Sequence, residues 1–101
     1  MRITPYISQM TTDLIKGLPE RLPQWRLSAD ELSISRTFVF ADFAQAFAFM
    51  TRMAEVSERL DHHPEWRNVY NRVEVTLTTH DAGGLTEKDV AWAEAADGLT
   101  N

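Results

Sequence analysis

No cysteine occurs in the 101 residues, so disulfides and thiolate metal ligands are both excluded. No apolar run is long enough for a transmembrane helix. Met1 to Met10 carries no apolar core of a secretory leader, and a soluble cytoplasmic protein is the default expectation. Basic residues are the minority, 10 against 15 acidic, for a net charge of −5. That balance argues against a phosphate-backbone partner and against docking on an anionic membrane. Repeats, linkers and low-complexity tracts are absent too. At 44% hydrophobic and 25% charged residues, the composition is that of one compact globular domain spanning 1–101.

Periodicity supplies the elements. A short helix is expected over 11–16, stopped by Gly17, with a proline-punctuated connection over 18–23. Trp25 to Leu27 opens a strand, Ser28-Ala29-Asp30 reads as a turn, and Leu32 to Phe40 alternates. Leu32, Ile34, Arg36, Phe38 and Phe40 share one face of this second strand. Asp42 with Gln45 marks a capping box for a long helix to about Leu60, with Phe43, Phe47, Met50 and Ala54 as its core stripe, widened by Ala46, Met53 and Leu60. Pro64 ends that helix region. Residues 67–79 are strand territory, bent or split near Asn71-Arg72. Thr86 with Asp89 marks a second capping box, Leu85 with Val90 its hydrophobic staple, and a last helix runs from about Glu87 to Asp97, stopped by Gly98. Helix, two strands, helix, one long or two short strands, helix fits an α+β fold. It is a two-layer sandwich, an antiparallel sheet of about four strands with three helices on one face.

Chemistry concentrates in three histidines, His62, His63 and His80, the only ones in the chain. Histidine's ordinary pKa lies near neutrality, so a cluster supplies both an acid and a base. His62 and His63 leave a helix end, and His80 leaves a strand end. If that strand returns beside the helix, the three rings converge on one cleft. Glu58 and Asp61 stand close enough in sequence to orient an imidazole. Such a crevice suits elimination or addition of water. Zinc also takes imidazoles, but no fourth strong ligand stands nearby, so no metal is expected. Gly83-Gly84 lacks the pattern of a phosphate-binding loop. Trp25, Trp66 and Trp92 read as packing or subunit-contact residues.

The spacing is more specific than the composition. Glu58, three residues, His62-His63-Pro64, five residues, Tyr70, nine residues, His80, eight residues and Asp89 resembles the signature of the pterin-4a-carbinolamine dehydratases. The flanking text, LDHHPEW and NVYNRVEVTLTTHDAGGLTEKD, is similar as well, and the likeness covers all but about the first ten residues. The resemblance implies an antiparallel sheet with helices on one face. It implies the hydro-lyase activity of a 4a-hydroxytetrahydrobiopterin dehydratase: dehydration of 4a-hydroxytetrahydropterin to quinonoid dihydropterin, with no cofactor. That reaction recycles the pterin of aromatic amino acid hydroxylases. Carried over are His62, His63 and His80 as catalytic and substrate-contacting residues; from the chemistry, His63 or His80 is expected to act in proton transfer and His62 to bind or assist. Asp61, Thr78, Thr79 and Asp81 carry over as pterin contacts. Glu58 and Asp89 carry over in supporting roles, Asp89 beside His80 or as a helix cap. The family also implies homodimers or homotetramers, a functional link to a hydroxylase, and, as an alternative function, a non-catalytic dimerisation or assembly cofactor.

Overall fold

The computed structural model describes residues 5–100, with side chains from Thr11 onward. Residues 1–4, part of the stretch read for a leader, lie outside them. The elements are α1 (Pro5–Arg21), β1 (Arg26–Leu27), β2 (Ile34–Val39), α2 (Phe43–Leu60), β3 (Glu65–Val69), β4 (Arg72–Leu77) and α3 (Glu87–Thr100). The order of elements agrees with the sequence. The strands form one open antiparallel sheet, β1-β2-β4-β3. The expected split falls at Tyr70-Asn71, a tight hairpin in which the Asn68 amide donates to the carbonyls of Tyr70 and Arg72.

Alternation decides which sheet face is covered. Ile34 and Phe38 of β2 and Val73, Val75 and Leu77 of β4 are buried, together with Leu18 and Leu22, Phe49 and Met53 of α2, and Val90, Trp92 and Ala96 of α3. The opposite sheet face is polar, with Ser35, Thr37, Glu74 and Thr76. Arg36, the polar exception on the apolar face, ion-pairs with Asp97 of α3 and lies over the Phe38 ring. Asp97 also accepts from the Trp25 indole at 3.0 Å, tying α3 to β2 and to the segment that leads into β1.

Three local expectations yield to tertiary packing. α1 runs through Gly17 and Pro19 to Arg21, because Leu14, Ile15, Leu18 and Leu22 pack on the core. α3 continues past Gly98, with the Thr100 hydroxyl bonded to the carbonyls of Ala96 and Asp97. The core stripe of α2 is Ala46, Phe49, Met53 and Val56, not the Phe43/Phe47 stripe. Phe43 and Phe47 are 47% and 53% exposed and stack on each other at 5.6 Å. Both stripes have helical spacing. Phe49 wins through its rings against Phe38 (4.7 Å) and Phe40 (5.2 Å). Ser57 fixes the rotation, accepting from the Trp92 indole at 2.8 Å. Among the described residues no helix is long and apolar enough to cross a membrane.

Candidate functional site

The site begins where α2 stops. Asp61 sits in the left-handed region (φ 52, ψ 47), its N–H donating to the Glu58 carbonyl and that of His62 to the Ser57 carbonyl. This pattern closes a helix end, usually around glycine; Asp is among the few residues that adopt it at modest cost. Reversing the chain there separates two adjacent rings. His62 turns inward, its side chain 9% exposed, and meets Asp89 on α3 with Nε2 2.6 Å from Oδ1. His63 stays outside, 58% exposed, with Nε2 2.7 Å from Glu58 Oε2.

The other half is built at the end of β4. Thr79 bridges to Gly84, and His80–Ala82 make one turn of 3-10 helix between them. Gly83 closes that turn at φ 73, a conformation glycine adopts without strain. His80 is thereby presented outward, 78% exposed, with Nε2 3.2 Å from Glu65 Oε2 on β3.

Each histidine thus faces its own carboxylate through Nε2. An ionised carboxylate only accepts, so in each dyad the network assigns the proton to Nε2. Nδ1 is then a lone-pair acceptor on a neutral ring and a donor on a protonated one. The dyads differ in access. His62–Asp89 is sealed, whereas His63–Glu58 and His80–Glu65 face solvent. Among the described residues no three His, Asp or Glu side chains are arranged to hold a metal ion.

A cavity of about 340 Å³ opens beside His80, lined by Glu65, Thr76, Thr78, Gly83, Gly84 and Leu32 among others. That volume is in the range of ordinary small-molecule clefts. His62 and His63 are not among its lining residues. The two halves are joined through structure, because Thr79, next to His80, hydrogen-bonds the same Asp89 that holds His62. A larger cavity of about 450 Å³ on the open sheet face, around Arg26, Ser35, Thr37 and Glu74, holds none of the histidines.

Of the remaining sequence-derived residues, Thr78 donates its hydroxyl to the Leu32 carbonyl at 2.6 Å. Asp61 and Asp81 are exposed at the two chain reversals. Glu58 serves His63 rather than the adjacent His62. Asp89 serves His62, not His80, and also caps its helix by accepting from the Thr86 N–H at 2.9 Å. Reasoning from sequence missed Glu65. The signal was available in the hairpin register, which pairs Glu65 with Thr76 four residues before His80.

Comparison with known proteins gives the family. The family model described as pterin 4 alpha carbinolamine dehydratase matches residues 8–99. The chain belongs to this family. A curated relative from Rhizorhabdus wittichii, named "Putative pterin-4-alpha-carbinolamine dehydratase", is 50% identical over 98% of both chains. A crystal structure from Brucella melitensis, titled as a transcriptional coactivator/pterin dehydratase, superposes with TM-score 0.83 at 39% identity, covering 100% of each chain. A pterin dehydratase-like protein described as a RuBisCO assembly factor in the alpha-carboxysome matches with TM-score 0.68 at 27% identity, over 80% of this chain and 94% of its own. The family match spans all six members of the three dyads. The α+β architecture, with its open four-stranded antiparallel sheet and three helices, is the fold of the pterin dehydratase neighbour.

Proposed function

We propose that this protein dehydrates 4a-hydroxytetrahydropterin to quinonoid dihydropterin by histidine acid–base catalysis. The observation that carries this reading is the set of three imidazole–carboxylate dyads within the stretch that the family model matches. The substrate bears a hydroxyl on C4a and a proton on N5. Hydroxide is a poor leaving group, so an imidazolium donates a proton and water departs. The N5 lone pair forms the C4a=N5 double bond, and a neutral imidazole removes the N5 proton. Each transfer contributes on the order of 10²–10⁴-fold.

Access separates the roles. A pterin in solution reaches His63 and His80, and Asp61 and Asp81 stand exposed beside them as candidate contacts. His62 orients the site from within. The Thr78 and Thr79 hydroxyls already donate to the Leu32 carbonyl and to Asp89, so toward a pterin they can only accept. No bound cofactor or metal is required by this chemistry. The stacked, exposed Phe43 and Phe47 supply an apolar face for self-association, and we assign the protein a homo-oligomeric, cytoplasmic state serving an aromatic amino acid hydroxylase.

A second reading, a non-catalytic assembly or dimerisation cofactor, takes its support from the RuBisCO assembly factor of similar fold. The two part in a stopped-flow assay of carbinolamine absorbance decay. A dehydratase accelerates the decay, and His63→Ala and His80→Ala slow it while remaining folded. A native, folded protein without acceleration belongs to the second class.

A further inference from the structure

Asp89 is completely buried, yet it is the most heavily hydrogen-bonded side chain of the site. Oδ1 faces His62 Nε2 at 2.6 Å. Oδ2 accepts from the Thr79 hydroxyl at 2.7 Å and from the Thr86 N–H at 2.9 Å. The hydroxyls of Thr79 and Thr86 are 2.8 Å apart. Thr79 has one hydroxyl proton, and Asp89 receives it. The bond between the threonines therefore runs from Thr86 to Thr79. Thr86 Oγ1 in turn accepts from the Lys88 N–H at 3.3 Å. Every proton in this chain has one direction, and it ends on a carboxylate whose remaining oxygen is left to His62. No buried side-chain polar atom lacks a partner among the described residues, so the network is closed.

We propose that Thr79 and Thr86 are positioning residues for His62. The Thr79 hydroxyl, itself held by the Thr86 hydroxyl, joins the Thr86 N–H in fixing the Asp89 carboxylate in the rotamer that keeps His62 as its Nε2–H tautomer, with Nδ1 as the acceptor. The arrangement also joins the halves of the site. Thr79 immediately precedes His80, and Asp89 grips His62, next to His63. Two hydrogen bonds therefore set the spacing between the strand-end imidazole and the helix-end pair. For its effect on rate the proposal rests on the dehydratase reading; the His62 tautomer does not.

The experiment uses the full chain, ¹⁵N-labelled at histidine, as wild type, Thr79→Val and Thr79→Ser. Valine keeps the shape and removes the hydroxyl; serine restores it. Long-range ¹H–¹⁵N correlation of wild type is expected to show His62 protonated at Nε2 and bare at Nδ1. In T79V that pattern is expected to move toward a tautomer mixture, and in T79S to return. Dehydration kcat falls roughly tenfold in T79V, the worth of one hydrogen bond to a charged group, while KM changes less than about twofold. T79S recovers to within about threefold. A folded T79V with wild-type kcat and the wild-type His62 pattern overturns the proposal. So does a wild-type His62 protonated at Nδ1, a result that needs no variant to fold. If wild type itself shows no dehydration, the spectra alone decide, and the failure belongs to the dehydratase reading.

Discussion

Replacing Asp89 by asparagine changes one atom in the buried network and has a definite consequence. Thr86 offers a backbone N–H that only donates, and its partner oxygen also receives the Thr79 hydroxyl. The asparagine oxygen must take that side. The new amide NH₂ then points at His62 Nε2, where the wild-type ring carries a proton. Two donors cannot share a 2.6 Å contact. The ring escapes by moving its proton to Nδ1, and Nε2 becomes the acceptor. Three bonds to a charged oxygen become neutral ones, each weaker by about 1 kcal/mol, against which stands relief from burying a charge. The net cost is about 1–2 kcal/mol, or a fall in Tm of roughly 4–16 °C for a domain of this size. Activity falls at least about tenfold, because His62 presents the opposite tautomer to the site. Asp89→Ala differs: it leaves the buried His62 ring and two part-buried donors on Thr79 and Thr86 without an acceptor and costs about 3–5 kcal/mol. Thermal unfolding followed by circular dichroism, with ¹⁵N spectra of His62, measures both. An Asp89→Asn protein with wild-type Tm and His62 still protonated at Nε2 refutes the network.

Other outcomes follow from the same contacts. His80→Ala removes a ring that is 78% exposed, so stability changes by less than about 0.5 kcal/mol while turnover falls on the order of 10²–10⁴-fold, a separation read by pairing chemical denaturation with stopped-flow rates. Phe49→Ala empties a core site and costs about 3–5 kcal/mol in denaturant unfolding. Phe47→Ser, on the exposed stripe of the same helix, instead shifts the mass measured by light scattering toward the monomer; unchanged mass would remove this face from the assembly. The Ser28 hydroxyl, then the Leu32 N–H, holds the Asp30 carboxyl below its ordinary value. A depressed carboxyl stabilises above the unfolded-state pKa, and the contribution disappears as pH falls through the folded value. Ser28→Ala therefore raises the Asp30 titration midpoint in NMR and weakens the turn's advantage only above the acid range.

The order of elements and the layer arrangement were legible because strand alternation and helix capping are local signals. Asp42 accepts from the Gln45 N–H at 2.9 Å, and Thr86 and Asp89 cap each other's helix turn, as their spacing requires. What escaped was decided at long range. Ala46 and Met53 were legible in the stripe, but only Phe38 and Phe40, distant in sequence, select Phe49 over Phe43 and Phe47. Gly17, Pro19 and Gly98 carry stop signals that burial of Leu18, Leu22 and Ala96 outweighs. In the site, the histidines and Asp89 were visible as types and spacings, but their pairing was not. Glu58 lies one turn before His62, yet the left-handed Asp61 swings His62 inward and leaves Glu58 to His63. Glu65 became a partner of His80 only through the β3–β4 register. The three rings are held as two exposed dyads and one buried one, and Thr79, next to His80, bonds the carboxylate that holds His62.

The central claim is catalysis of a proton-coupled loss of water, and its most direct measurement is the decay of 4a-carbinolamine absorbance with and without the purified protein. A dehydratase accelerates the decay in proportion to enzyme added, and the acceleration is abolished when His63 and His80 are both replaced by alanine. Decay at the buffer rate in the presence of folded wild-type protein, or full acceleration by the double variant, contradicts it.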